Sequence, residues 1–254
     1  MISGTAAAPI TFESIGRSAA LGSVGLPKRG GTMTVQGASY VDLVGIEATI
    51  DVKDSSHVSL TSSIGTVAVG SGSSSVSIER NDLNVVTVGP CASGTVVAAN
   101  LIWSGGVSVD DAVGTDVVNN DIWSQVAPST PTHAVAVADG STGTSVENNL
   151  VFGDWGDQPE LLVDAASAAG TTEGYNLLSL NGGTNSTPYS WAGADYSAVA
   201  AFQGASGQGA ADLAETTFDS NTDDAVLSAQ DDPALGSANA SAPGLPSTDY
   251  YGNV

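Results

Sequence analysis

The chain has 254 residues, aromatic residues make up only 6% of it, and its net charge is -22. The 27 acidic residues against 5 basic ones argue against binding to DNA or RNA, because phosphate contacts need Lys and Arg. No apolar run is long enough for membrane insertion, and the single cysteine, Cys91, excludes an internal disulfide framework.

The first residues, "MISGTAAAPITF", show neither the basic region nor the apolar stretch of a signal peptide. We therefore expect this start to be a cut inside a longer chain. Beyond it, Gly (31 residues) and small or β-branched side chains favour short strands and tight turns. A sustained helical stripe is missing, except near 161–169. The composition predicts a single all-β domain over 1–254.

Short alternating segments recur along the chain, and each ends at a valine. These ends are Val35, Val52, Val69, Val88, Val109, Val137 and Val163. Successive steps are 17, 17, 19, 21, 28 and 26 residues. A step of about 20 residues holding two or three short strands predicts one coil of a single-stranded parallel β-solenoid, of about 8 to 10 coils. The longer steps hold insertions, notably 124–133, whose two prolines cannot donate to a β-ladder.

Five asparagines occupy one position of this repeat, each with an aliphatic residue two places later. They are Asn81, Asn100, Asn120, Asn149 and Asn176. Stacked coils would bring them into a column at a bend, where amides can hydrogen-bond to one another along the stack. Asn also tolerates the left-handed backbone of a sharp bend. We interpret the column as a structural ladder rather than as a ligand site.

Several segments resemble the secreted right-handed parallel β-helix proteins of the pectate-lyase-like superfamily. They are "SGTAAAPITFESIG" (3–16), "ASYVDLVGIEA" (38–48), "YSWAGADYSAVAAFQGASGQGAADL" (189–213), and "AVLSAQDDPALGSA" followed by "PGLPSTDYYGN". The resemblance implies a right-handed β-helix with coils over 1–185. A less regular tail would follow over 186–254, with a closing strand, and the protein would be secreted or on the cell surface. Relatives normally carry a cap before the first coil, so an uncapped first coil is expected to favour self-association.

Relatives that cleave acidic polysaccharides combine carboxylate-bound calcium with a Lys or Arg base. Here the outer face of the valine-bearing strands carries small residues, and its only candidates are Lys53 and Asp110. These lie three coils apart, roughly 14 Å at the spacing of stacked strands. We expect Lys53 to form a surface pair with Asp51 or Asp54, and we predict no complete catalytic site.

Three acids recur at three-residue spacing in "GDWGDQPE": Asp154, Asp157 and Glu160. Such a turn could hold calcium, and this is the only cofactor that the sequence suggests. The alternative, a solvated acidic turn without a metal, is the interpretation that we favour.

Aromatic residues follow three of the ladder asparagines at the same distance: Trp103, Trp123 and Phe152, with Trp155 nearby. Because Ile102 takes the inward position, these rings should point outward or lie beneath the insertion at 124–133. Outward stacked rings would bind sugars. Rings beneath the insertion would form a satellite core.

These observations favour an extracellular domain that binds or presents to polysaccharide. One alternative is a polysaccharide lyase or epimerase whose site is built from loops or lies partly outside this chain. A second alternative is a purely structural surface stalk. The charge of -22 favours a neutral polymer over a uronate.

Overall fold

A computed structural model describes residues 3–13, 31–103, 105–124, 133–153, 155, 158–179, 187–215 and 237–248. The regular structure of the described residues is mostly β-strand, with one α-helix and one short 3-10 helix. The predicted all-β class is thus confirmed. No described helix is long and apolar enough to cross a membrane.

The strands in chain order are β1 Ile10–Glu13, β2 Thr32–Gln36, β3 Ser39–Val44, β4 Glu47–Lys53, β5 Ser56–Thr61, β6 Ile64–Val69, β7 Ser74–Glu79, β8 Asp82–Val88, β9 Val96–Ala98, β10 Leu101–Trp103, β11 Val107–Asp110, β12 Asp116–Val118, β13 Asp121–Ser124, β14 Val135–Ala138, β15 Thr144–Glu147, β16 Leu150–Gly153, β17 Leu161–Val163, β18 Thr171–Gly174, β19 Leu177–Ser179, β20 Tyr189–Trp191, β21 Ala194–Tyr196 and β22 Leu213–Glu215. The 3-10 helix is Ala168–Gly170, and helix α1 is Val199–Ser206.

The strands form two sheets. Sheet I is parallel and has the order β1-β3-β5-β7-β9-β12-β15-β18. Sheet II begins with β2, β4, β6 and β8 and then divides, because β8 pairs with both β10 and β11. Branch A continues through β11, β14, β17 and β20, and branch B through β10, β13, β16, β19 and β22. Every pairing between these strands is parallel except that of β21 with β20.

Equivalent residues of successive repeats pair one to one. The valine that ends each alternating segment pairs with the next, from Val35 through Val52 to Val163. On branch B, Ile102 pairs with Ile122, and Ile122 pairs with Val151. These inward side chains are buried and belong to one continuous core. The repeat read from the sequence is therefore the repeat by which strands stack.

The bend before each ladder asparagine contains a left-handed residue. Arg80, Ala99, Asn119, Asn148 and Tyr175 have φ between +50° and +61°, and each directly precedes a ladder asparagine. We expected the ladder asparagines themselves to adopt this conformation. The structure instead gives it to the preceding residue, which leaves the ladder side chain free to point inward.

Parallel pairing continues beyond residue 185, where we expected the coils to end. Strand β20 pairs with β17, and β22 pairs with β19. Between them, Phe202 of α1 stacks on Tyr189 with ring centroids 4.1 Å apart and is fully buried. Helix α1 thus covers the end of the core. Most of the expected closing strand lies outside the described residues.

Candidate functional site

The five ladder asparagines form a continuous hydrogen-bonded chain. The Nδ2 of each asparagine from Asn81 to Asn149 donates to the Oδ1 of the next, and all four distances are 3.0 Å. Each Oδ1 from Asn100 onward also accepts the backbone N–H of the preceding asparagine, at 2.9 to 3.1 Å. All five side chains are buried. Their polar atoms are occupied inside the protein, so the ladder offers nothing to a ligand.

Buried carboxyl groups end the ladder. Asp212 accepts the backbone N–H of Asn176 at 2.8 Å and the hydroxyl of Tyr189 at 3.0 Å. Glu173 accepts the Asn176 amide at 2.8 Å. Burial and the neighbouring Asp212 raise the pKa of Glu173 well above its usual range, and burial raises the pKa of Asp212. This pair therefore holds a proton to a higher pH than isolated carboxyl groups would.

The sequence did not reveal this end of the ladder, because Asp212 lies 36 residues after Asn176 and replaces the amide by a carboxyl group. A signal was nevertheless present. Leu213 and Ala214, which follow Asp212, pair with Leu177 and Leu178, which follow Asn176. Allowing aspartate at the ladder position would have found it.

The weak catalytic candidates are not brought together. The Lys53 Nζ lies 3.2 Å from Asp51, as expected for a surface pair. Asp110 accepts a hydrogen bond from Ser108 at 2.6 Å. Two intervening strands, β6 and β8, separate the strands that carry Lys53 and Asp110.

The acidic turn is described only at Glu160, since Asp154 and Asp157 lie outside the described residues. Glu160 is 6% exposed, and burial raises its pKa well above the usual range. The expectation of a solvated carboxylate is therefore wrong for Glu160, which is buried just before β17. No group of three His, Cys, Asp or Glu side chains that could hold a metal occurs in the described part of the chain.

The aromatic residues form a column on the outer face of branch B. Trp103 pairs with Trp123, and Trp123 pairs with Phe152. The ring centroids of Trp103 and Trp123 are 4.6 Å apart with planes at 56°, and those of Trp123 and Phe152 are 5.7 Å apart at 22°. The in-register strands thus place one ring per coil, as the sequence predicted.

Most of the column is closed to solvent. Trp123 is 9% exposed and Phe152 is 4% exposed, so of the two alternatives the open row of rings does not hold for these two. Strand alternation determines which face a side chain occupies, but not what covers that face. Trp155 is 3% exposed and belongs to the interior core rather than to the column. Trp103 alone among the column rings remains half-buried.

The half-buried ring of Trp103 lies at the end of the aromatic column, where the neighbouring strand β8 carries polar residues. The pairing of Asp82 with Leu101 and of Leu83 with Ile102 places Asn84, which is exposed, beside Trp103. The Trp103 indole lies close to Asp82, which is half-buried. Burial raises the pKa of Asp82, and the Trp103 side chain opposes the rise. We call Asp82, Asn84 and Trp103 the column end.

A second carboxyl group shares this face. Asp121 pairs with Leu101 and lies two residues before Trp123, so its side chain points to the same side of branch B. Asp121 is half-buried, and burial raises its pKa to about 7. Below that pH the Asp121 carboxyl group is protonated and can donate as well as accept a hydrogen bond.

The column end offers an aromatic face, an amide and a carboxyl group, and the Asp121 carboxyl group lies on the same side of the sheet. No family model matches the chain, and neither a curated protein nor a solved structure matches it. The assignment of a function therefore rests on this geometry.

Proposed function

We propose that the chain is a right-handed parallel β-helix domain, secreted or on the cell surface, that binds neutral polysaccharide at the column end. The parallel pairing at steps near 20 residues supports the β-helix, because a short-period parallel solenoid produces this register. Right-handed crossovers between parallel strands are strongly preferred for L-amino acids. The resemblance of several segments to secreted β-helix proteins supports the location.

The observation that carries the binding proposal is the position of Trp103. It is the half-buried end of a stacked column, packed on the Trp123 ring, close to Asp82 and bordered by exposed Asn84. A sugar ring packs its C–H face on an indole and directs its hydroxyl groups to nearby amide and carboxyl groups. A ring fixed by its neighbours also loses little conformational entropy on binding.

Charge supports a neutral ligand over an acidic one. The net charge is -22, and two aspartates lie on the face that carries the column. A uronate polymer would be repelled by this field, whereas a neutral polymer would not. The binding of neutral chains should accordingly depend little on salt concentration.

Affinity electrophoresis through gels that contain neutral or uronate polysaccharides tests this proposal. The parent protein should be retarded by at least one neutral polymer, and Trp103→Ala should weaken that binding about tenfold or more. Phe12→Ala is the matched control, since Phe12 is an aromatic residue 40% exposed on β1, far from the column end.

Two results would overturn the proposal. One is a Trp103→Ala variant that is retarded as strongly as the parent. The other is a parent protein that binds none of the neutral polymers and instead cleaves a uronate polymer to unsaturated products. That result would favour the lyase alternative.

A further inference from the structure

A buried pair of acids, Glu173 and Asp212, lies at the end of the described coils. Glu173 belongs to β18 and is 2% exposed, and Asp212 lies just before β22 and is 5% exposed. Both contact the last ladder asparagine. Glu173 accepts a hydrogen bond from the Asn176 side chain at 2.8 Å, and Asp212 accepts the Asn176 backbone N–H at 2.8 Å. Two carboxyl groups therefore share one interior site.

Each of these acids departs from the column in which it lies. Glu173 continues a buried column that is aliphatic in the coils before it, at Val146, Val117, Val97 and Ile78. Asp212 follows five asparagines at the ladder position. An aliphatic residue and an asparagine would have continued both columns without an ionisable group. The two departures occur together, in contact with the same asparagine.

The hydrogen bonds give the two acids different roles. Both oxygens of Asp212 accept hydrogen bonds, one from Asn176 and the other from the Tyr189 hydroxyl at 3.0 Å, which suits a carboxylate. Only Oε1 of Glu173 accepts one, and its Oε2 is buried without a donor among the described residues. A buried oxygen without a donor favours the protonated acid. The geometry therefore places the proton of the pair on Glu173.

The surroundings of the pair offer no compensating positive charge among the described residues. The titratable groups around it are Tyr189 of β20, which bonds to the pair, and Glu160, which acts on Tyr189. Helix α1 has none. Lys53 and Arg80 lie in earlier coils, and the His133 ring hydrogen-bonds to a backbone carbonyl beside Glu160. Loss of the proton would leave two adjacent carboxylates in the interior, with only acids nearby.

The segment that covers the pair is attached to it directly. We call residues 199–215, which comprise α1, the loop after it and β22, the end cap. The Glu173 backbone N–H donates to the Gln208 side chain at 3.0 Å, and its carbonyl accepts the Gly209 N–H at 3.0 Å. Phe202 of α1 stacks on a buried tyrosine of β20. Terminal units of a solenoid open at a lower free energy than its middle, because they contact fewer neighbours.

We propose that the end cap is a pH-operated device, which is closed while Glu173 and Asp212 share a proton and opens as that proton is lost. In the open state both acids reach water, whereas in the closed state burial and Asp212 raise the pKa of Glu173 well above its usual range. The closed state therefore binds more protons than the open state. Closure is strongest at low pH and weakens as the pH rises through the pKa of the closed pair.

Opening has a defined size and a defined consequence. Above the pKa of the closed pair, the loss of one proton should favour opening by up to about tenfold per pH unit. Release of Phe202 would uncover Tyr189 and Trp191, the two rings of β20 on which it packs. The device thus exposes an aromatic surface at the end of the core when the pH rises.

Hydrogen exchange of the full chain, followed by mass spectrometry from pH 6 to pH 10 and corrected for intrinsic amide rates, tests this proposal. Protection of the end cap should fall by about tenfold or more across this range. The segment 58–69, which contains no acid, should keep its protection.

Glu173→Gln is the matched variant, because its amide can donate as the protonated acid does and does not ionise. Its end cap should stay protected at every pH. Asp212→Asn, which continues the ladder with an amide, should also abolish the pH dependence, and it decides the test if Glu173→Gln does not fold by circular dichroism.

Three results would overturn the proposal. The first is a parent whose end-cap protection does not change with pH. The second is a folded Glu173→Gln or Asp212→Asn variant that loses protection as steeply as the parent, since another group would then control the cap. The third is a parent in which segment 58–69 loses protection together with the end cap, since the molecule would then unfold as a whole.

Discussion

At the scale of single residues, the adjacent residues Asn119 and Asn120 have different structural roles. Asn119 takes the left-handed backbone of the bend with φ +54°, and Asn120 joins the buried ladder. Asparagine suits the first task because its short polar side chain tolerates this region, and the second because its amide both donates and accepts. The pair recurs as Asn148–Asn149, where the Asn148 side chain also pairs with the Asn239 backbone.

The ring of Trp123 should stabilise the fold as a buried core residue does. Replacing Trp123 by Ala removes a ring that is 9% exposed and contacts rings on both sides. We expect this change to lower the free energy of unfolding by about 3 to 5 kcal/mol. Trp103→Ala should cost clearly less, since that ring is half-buried. Urea titration of the two variants measures the difference, and equal small losses would contradict the closed column.

Asp121 should make stability depend on pH. Its pKa is about 7 in the folded protein and near 3.8 when unfolded, so between these values the folded state binds more protons. Stability due to Asp121 is therefore full below about pH 4 and is lost as the pH rises toward 7. Asp121→Asn should remove this part of the slope.

The measurement is the unfolding free energy of parent and Asp121→Asn from pH 4 to pH 8. Burial also raises the pKa values of Glu160, Glu173 and Asp212, and these groups likewise lower stability as the pH rises. The difference between the stability curves of the parent and Asp121→Asn therefore isolates the contribution of Asp121. Parallel curves would show that Asp121 ionises in the folded protein as it does in water.

At the scale of elements, the ladder joins successive coils through side chains as well as strands. The Asn120 side chain makes four hydrogen bonds, to Asn100 twice, to the Val97 carbonyl and to Asn149. At about 1 kcal/mol each, Asn120→Ala should lower stability by about 3 to 4 kcal/mol.

Ser63 offers a matched control for the ladder. It holds the equivalent position one coil before Asn81, accepts the Ile46 N–H and donates to the Thr61 carbonyl. Because the Ser63 side chain makes two of these hydrogen bonds and that of Asn120 makes four, we expect Ser63→Ala to lower the free energy of unfolding about half as much as Asn120→Ala. Chemical denaturation of both variants measures the two losses. A ladder variant no less stable than the parent would contradict the cooperative chain of amides.

Much at this scale follows from the sequence repeat, because each step, whatever its length, returns an inward valine to the same column. Burial of Trp123 does not follow, since alternation assigns a face without saying what covers it. The end of the ladder at Asp212 escaped prediction because the step lengthens to 36 residues. Sequence likewise could not reveal that Ala242 returns to Ala98 and Val118, since nothing local encodes that contact.

At the scale of the whole molecule, the described end at α1 is closed and the acidic surface bears no cluster suited to a metal within the described residues. We therefore expect exhaustive chelation with EDTA to leave the melting temperature within about a degree, because a ligand that does not bind the folded state cannot stabilise it. Differential scanning calorimetry checks this. A fall of many degrees would point to calcium at the acidic turn that contains Asp154 and Asp157.

The measurement that most directly tests the binding proposal is an NMR titration of the tryptophan indole N–H signals with neutral oligosaccharides. The chain has four tryptophans, so four indole signals can be assigned by single Trp→Phe substitutions. We predict a saturable shift that is largest for Trp103, with the buried Trp155 and Trp191 unmoved. Saturating binding that leaves the Trp103 signal in place would contradict the proposal that the column end is the glycan site.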